Sequence, residues 1–205
     1  MIRLWRPDQR GPVTVRQVAG FFLTERGKGI DETMSKTPAQ RERMMETLIQ
    51  KGWSKYLKTV VAKMFQRMVR AEAAAQPTGY TNAIDDGMLI MVYRHVGECV
   101  CVTCGKVLPW NVNGMDSGHL ISRAYLATLL DPDNCAPQCV GCNQHYHGKP
   151  NEFRQWLVAV RGMETVVRLE ELKRKTVEWS RDDLVDMRIE YGERLRAAEA
   201  KMKGM

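Results

Sequence analysis

The 205-residue chain is 44% hydrophobic and 27% charged, the balance of a folded globular protein rather than a low-complexity or fibrous one. No stretch approaches the roughly 20 apolar residues of a membrane span, and the start MIRLWRPDQRGPV has arginines with no signal-peptide core behind them, so a cytoplasmic protein without a membrane partner is expected. The net charge of +7 is uneven, with 15 Lys/Arg against 6 Asp/Glu in residues 1–70, 6 against 9 in residues 71–165, and 10 against 9 in residues 166–205; an anionic polymer would be gripped mainly through the first segment.

Residues 1–30 place Arg3, Arg6, Arg10, Arg16 and Trp5 among Pro7, Pro12 and several glycines, which reads as a basic arm able to follow a phosphate backbone or to act as a docking strap. Thr37-Pro38 then supplies an N-cap and first helical position, followed by Met44, Met45, Leu48 and Ile49 at helical spacing. Gly52 marks a break. Beyond it Trp53, Tyr56, Leu57, Val60, Met64 and Met68 form an apolar core stripe, while Lys63, Arg67 and Arg70 fall on another face, as a phosphate-facing ridge or a solvated surface. The stretch through Pro77, Gly79 and Asp86-Gly87 reads as loop, and the first domain boundary is drawn there. Met88–Val96 is apolar enough for a strand or a short helix, and periodicity does not decide between them.

Cys101-Val-Thr-Cys104 and Cys139-Val-Gly-Cys142 are two Cys-x2-Cys knuckles, and four thiolates in a protein without a secretion signal point to a structural Zn²⁺. Cys99 and Cys135 fall outside the pairs and read as buried thiols. Further along, Phe153, Trp156, Leu157 and Val160 share a helix face. Ser180 with Asp183 resembles a capping box, and Leu184, Met187, Tyr191, Leu195 and Ala198 follow it at helical intervals, on a face that packs within the chain or against another one.

Between and after the knuckles stand Asp116-Ser-Gly-His119, Asn134, Gln138-Cys139-Val-Gly-Cys142-Asn143, His147 and Gly148-Lys149. In this order they resemble the HNH (ββα-metal, His-Me finger) endonucleases over residues 101–169, and within them the phage Rap/NinG recombination proteins. The resemblance implies His119 as general base and Asn134 as the residue that braces its loop. Asp116, Asn143 and His147 would hold a catalytic Mg²⁺ or Mn²⁺, a hard cation served by oxygen donors. Many HNH enzymes place the metal-binding Asp directly before the His; here that neighbour is Gly118 and the nearest acid is Asp116. With Asn143 taken to begin a helix, His147 would lie on its face one turn on, and His145 on another. Arg123 and Lys149 are candidate phosphate contacts, or surface residues.

The expected fold is α+β, a ββα-metal unit on a four-cysteine zinc knuckle at residues 88–165. A basic N-terminal arm and helical region (1–87) and a C-terminal helical region (166–205) flank it. The resemblance implies a DNA endonuclease acting on branched recombination intermediates such as Holliday junctions or D-loops, in the host cytosol if phage-encoded. Two-fold junctions favour a homodimer, with the C-terminal helix as candidate interface. The rival readings are an HNH nuclease for nicking, restriction or packaging, a non-catalytic zinc-dependent DNA-binding protein, and a scaffold or RNA-binding protein, the last disfavoured by the lack of an aromatic RNA-binding motif.

Overall fold

The computed structural model describes residues 37–204; the basic arm expected over residues 1–30 lies outside them. Helix α1 (Pro38–Lys51) opens on a reciprocal capping box, in which the Gln40 amide N–H donates to the Thr37 hydroxyl and the Gln40 side chain accepts from the Thr37 N–H. Gly52, at φ +77°, breaks the helix where the sequence placed a break. A second helical rod follows as α2 (Trp53–Tyr56), a π-helical turn (Leu57–Val61) and α3 (Ala62–Ala74).

The π turn inserts an extra residue into the helical repeat and rotates everything after it. The buried set therefore moves from the expected Val60 and Met64 to Val61 and Phe65, before Met68 rejoins the stripe. Arg70 differs from Lys63 and Arg67 in exposure: they are exposed, whereas it is half-buried and donates from Nε to the Trp110 carbonyl at 3.2 Å.

The C-terminal helix α7 (Arg181–Lys203) starts from the Ser180/Asp183 box, the Asp183 N–H donating to the Ser180 hydroxyl at 3.1 Å. Leu184, Tyr191, Leu195 and Ala198 are buried in one core with Phe65, Met68 and Ala71, and the Tyr191 and Phe65 rings lie 5.3 Å apart. Arg194 reaches Glu72 with two bonds of 2.8 and 2.9 Å. The apolar face of α7 is thus filled by α3 of its own chain.

Among the described residues the sheet structure is three separate two-stranded antiparallel ribbons: β1 (Gly79–Asp85) with β2 (Met88–Arg94), β3 (Glu98–Val100) with β4 (Val107–Pro109), and β5 (Met115–His119) with β6 (Cys135–Cys139). The first corrects the loop reading of residues 79–85. Asp86 and Gly87, at φ +45° and +76°, form a two-residue turn with positive φ at both positions, so Asp-Gly is the hinge of a hairpin and the boundary drawn there falls at its tip. Val102 couples the ribbons, its carbonyl accepting from the Ile84 N–H at 2.8 Å and its N–H donating to the Pro137 carbonyl at 3.0 Å.

The short helix α4 (Leu126–Leu129) lies between β5 and β6, and after β6 the chain makes one π-helical turn (Gly141–His145), which ends at Tyr146. His147, Gly148 and Lys149 all have positive φ, and α5 (Pro150–Arg161) and α6 (Met163–Leu172) follow. This overturns the expectation of one helix carrying Asn143 and His147 on a shared face. Pro150 has no N–H and disfavours helical backbone in the residue before it, so the chain leaves helix geometry and restarts at the proline.

Candidate metal centre and polar site on the β5–β6 ribbon

Cys101 and Cys104 occupy the turn after β3, Cys139 ends β6, and Cys142 lies in the following helical turn. Their Sγ atoms all lie within 4.8 Å of one another, and Cys104 and Cys139 are 3.7 Å apart. Tetrahedral Zn–S bonds of about 2.3 Å put the sulfurs about 3.8 Å apart, so the cluster could hold such an ion with little adjustment. The Cys142 N–H donates to Cys139 Sγ at 3.5 Å. Among the described residues this is the one group of three or more His, Cys, Asp or Glu side chains close enough to share an ion. Cys99 and Cys135 are buried outside it; burial pushes the Cys99 thiol up to about 12 and holds the Cys135 thiol well above its ordinary range, so both stay neutral.

The centre is tied to β5 through Gln138, which is fully buried. Its amide donates to the Thr103 hydroxyl at 3.0 Å and to the Gly148 carbonyl at 2.8 Å, joining the first knuckle to the segment after the second. Gln138 pairs with Asp116 across the ribbon and folds over Gly118, where a Cβ would come within 1.7 Å of its Oε1. Gly118 therefore stands in extended strand to admit Gln138, not in a turn. A polar residue in the wholly buried strand CAPQC was the signal for Gln138, quoted in the sequence pattern but without a role.

Asp116 and His119 are three residues apart in β5 and leave it on opposite sides. Asp116 faces the helical turn: its Oδ2 accepts from Asn143 Nδ2 at 2.9 Å and from Gln144 Nε2 at 2.8 Å. The structure thus brings Asp116 and Asn143 together and adds Gln144, while His147 is exposed beyond the turn and His145 is also exposed. An ion at Asp116 would have one carboxylate and, after rotation of its amide, the Asn143 oxygen. That fits Mg²⁺, which keeps several waters and takes the rest of its ligands from substrate phosphate.

His119 points the other way, toward residues 120–134. Its Nε2 lies 3.1 Å from the Leu129 carbonyl. A carbonyl can only accept, so Nε2 carries the proton and Nδ1 keeps the lone pair; Cys135 Sγ is 4.0 Å from Nδ1. Burial holds the His119 pKa down at about 4, the Leu129 bond opposing this in part and the Arg123 charge adding to it, so the ring is neutral near pH 7 rather than half-titrating near 6.5.

Asn134 is fully buried and holds the intervening loop: Oδ1 accepts from the Ile121 N–H at 2.7 Å, and Nδ2 donates to the Ile121 and Thr128 carbonyls at 3.1 and 2.9 Å. From α6, Arg168 clasps the same loop, bonding Asp131 at 2.7 and 3.2 Å and Asp133 at 2.9 Å. Behind β5, Ser117 Oγ donates to the Gln66 carbonyl at 2.7 Å and accepts from Arg70 at 3.4 Å. Burial pulls Arg70 below the ordinary guanidinium range, and the Asp116 charge opposes it. Sequence reading gave Arg70 to a phosphate-facing or solvated ridge and missed Arg168, since long-range partners leave no local spacing. Arg123 is exposed, and Lys149 pairs with Glu152 at 3.5 Å. No described helix is long and apolar enough to cross a membrane.

No curated protein and no solved structure matches the chain. The profile described as Bacteriophage Lambda NinG protein matches residues 31–201, taking in both ribbons of the metal centre and α7. The chain belongs to the NinG family of bacteriophage lambda.

Proposed function

We propose that this chain is a metal-dependent DNA endonuclease of the HNH type, with β5, β6 and the helical turn after them as its ββα unit. The observation that carries the reading is the state of His119: a neutral imidazole with its proton fixed on Nε2 by the Leu129 carbonyl and its lone pair on Nδ1. A base that must take a proton from water needs an accepting nitrogen held this way.

In the proposed reaction His119 Nδ1 removes a proton from a water, the resulting hydroxide bonds to phosphorus, and the bond to the 3′ oxygen breaks. Asp116 and Asn143 would hold a divalent cation, which would supply charge neutralisation to the phosphoryl group. Asn134 and Arg168 hold the loop that orients the imidazole, and Arg123 stands beside it as a phosphate contact. Membership of the NinG family makes a branched recombination intermediate the proposed substrate, with the phage-infected cell's cytosol as its setting.

The test is incubation of the purified chain with a four-way junction, a linear duplex and a supercoiled plasmid, with and without Mg²⁺ or Mn²⁺. The reading expects metal-dependent cutting with the junction preferred. Cutting of plasmid and duplex as readily as junction would favour a general HNH nuclease, and binding without cutting in any metal would leave a zinc-dependent DNA-binding protein.

A further inference from the structure

Helices α1 and α7 meet along a seam whose charges are matched at one point and unmatched at the next. Arg41 reaches across to Asp186 and Asp182 of α7, so its charge is taken up within the fold. Beside it Gln40, Arg43, Met44 and Thr47, at i, i+3, i+4 and i+7 on one face of α1, enclose with Arg188 of α7 a groove of about 230 Å³. Among the described residues no carboxylate lines this groove, and neither Arg43 nor Arg188 forms an ion pair.

The charged and amide groups along the groove are donors. Arg188 is held from behind: its Nη1 donates to the hydroxyl of the fully buried Tyr56 at 3.2 Å, and its guanidinium lies 5.9 Å from the centre of that ring. Its Nε and Nη2 are left to donate elsewhere. Gln40 Oε1 accepts from the Thr37 N–H at 3.1 Å in the capping box, so what its amide has left is the Nε2 donor. Thr47 turns its hydroxyl proton to the Arg43 carbonyl at 2.8 Å and takes no part. Two guanidiniums in one groove without a carboxylate repel each other; an oxyanion between them removes that repulsion and accepts from the planar fork of each.

We infer that this groove is a phosphate-binding site that holds the sugar-phosphate backbone of DNA, with Arg43 and Arg188 as its charged contacts and the Gln40 amide as a neutral one. A polyanion is favoured over a small free anion by the charge that follows in the chain. Lys51 at the end of α1 is exposed, as are Lys55 and Lys58 on either side of the Tyr56 that anchors Arg188. The site draws on α7, from the segment with 10 Lys/Arg against 9 Asp/Glu, and so adds to the basic residues 1–70 a contact that only the folded chain assembles. It rests on the DNA-binding part of the proposed function and needs none of its cutting chemistry.

Fluorescence anisotropy of a labelled linear duplex and a labelled four-way junction, without added divalent metal and over a series of salt concentrations, reads binding apart from cutting. Arg43→Gln and Arg188→Gln should each weaken binding about three- to tenfold and lower the slope of log affinity against log salt by about one. Lys201→Gln removes the same charge from an exposed position about 20 Å further along α7, at about 1.5 Å per residue, and should leave both nearly unchanged. Arg188→Gln also loses its bond to Tyr56, so Arg43→Gln, whose melting temperature should equal that of wild type, carries the decision. A folded Arg43→Gln chain that binds DNA as wild type does would overturn the inference, as would an equal loss in Lys201→Gln or a wild type that binds no DNA. If inorganic phosphate shifts the arginine Nε NMR signals of wild type while neither arginine variant weakens DNA binding, the groove serves a free anion and the inference fails. A wild type that binds through the groove but cuts nothing in any metal would keep this site and remove the nuclease reading; one that cuts while both variants bind normally would do the reverse.

Discussion

At the scale of single residues, two groups make predictions that need no knowledge of substrate. His119 is held at a pKa of about 4 by burial, below the unperturbed value near 6.5. The unfolded chain therefore binds a proton that the folded chain does not between these values. The stability contributed by the neutral ring is complete above about pH 6.5 and is lost as pH falls through 4, by roughly 3 kcal/mol if the full shift is realised. Melting curves from pH 7 to pH 4 should fall more steeply for wild type than for His119→Phe, and parallel curves would contradict the burial. If His119 is the base, cleavage should already be at its plateau by about pH 6, where an unperturbed histidine would still be titrating. Gly118 is the second. A methyl group there would displace Gln138 from Thr103 and from the Gly148 carbonyl, so Gly118→Ala should cost about 2–4 kcal/mol by denaturant titration. Unchanged stability would show that Gln138 has another place to go.

At the scale of elements, legibility followed the range of the interactions. Helix α1 and the capping box of α7 could be read directly because a cap and its partner lie three residues apart. The four cysteines could be read because Cys-x2-Cys brings two ligands into one turn whatever surrounds them. The π turn at Leu57–Val61 could not: it changes no residue type, and it moved the buried face by one position. Asp86-Gly87 was legible as a turn, but a hairpin turn and an interdomain loop use the same residues, and only the alternation on both sides tells them apart. In the site, Asp116 and Asn143 were named and do meet, whereas His147 was placed by a helix that Pro150 forbids. Arg168 carries the prediction at this scale. It joins α6 to the turn at Asp131–Asn134, and the Leu129 carbonyl belongs to the same braced loop. Arg168→Gln should lower kcat with little change in KM, and nitrogen chemical shifts of His119 should show loss of the fixed Nε2–H tautomer. A fully retained tautomer in the variant would make the clasp irrelevant to the imidazole.

At the scale of the whole molecule, the α1–α3 and α7 helices form one core with residues of the β3–β4 and β5–β6 ribbons, and the four-cysteine cluster joins the turn after β3 to the end of β6. Removing zinc, by a strong chelator or by Cys142→Ser, should unfold the ribbon region while α3 and α7 keep much of their helical circular dichroism; an unchanged melt would deny the cluster a structural metal. The residues of the proposed chemistry sit in the segment of negative charge balance, and the positive excess lies in residues 1–70, so DNA affinity and catalysis should separate. Deleting residues 1–36 should weaken junction binding and steepen its loss with salt less than wild type, with the zinc content untouched. The central claim, that His119 is the base of a metal-dependent nuclease, is tested most directly by single-turnover cleavage of a four-way junction. Wild type and His119→Ala would be compared at matched zinc content and matched junction binding, in Mg²⁺ and in Mn²⁺. The account predicts that the variant binds the junction as wild type does and cuts it at least about a hundredfold more slowly in both metals; equal cutting by the two proteins would contradict it.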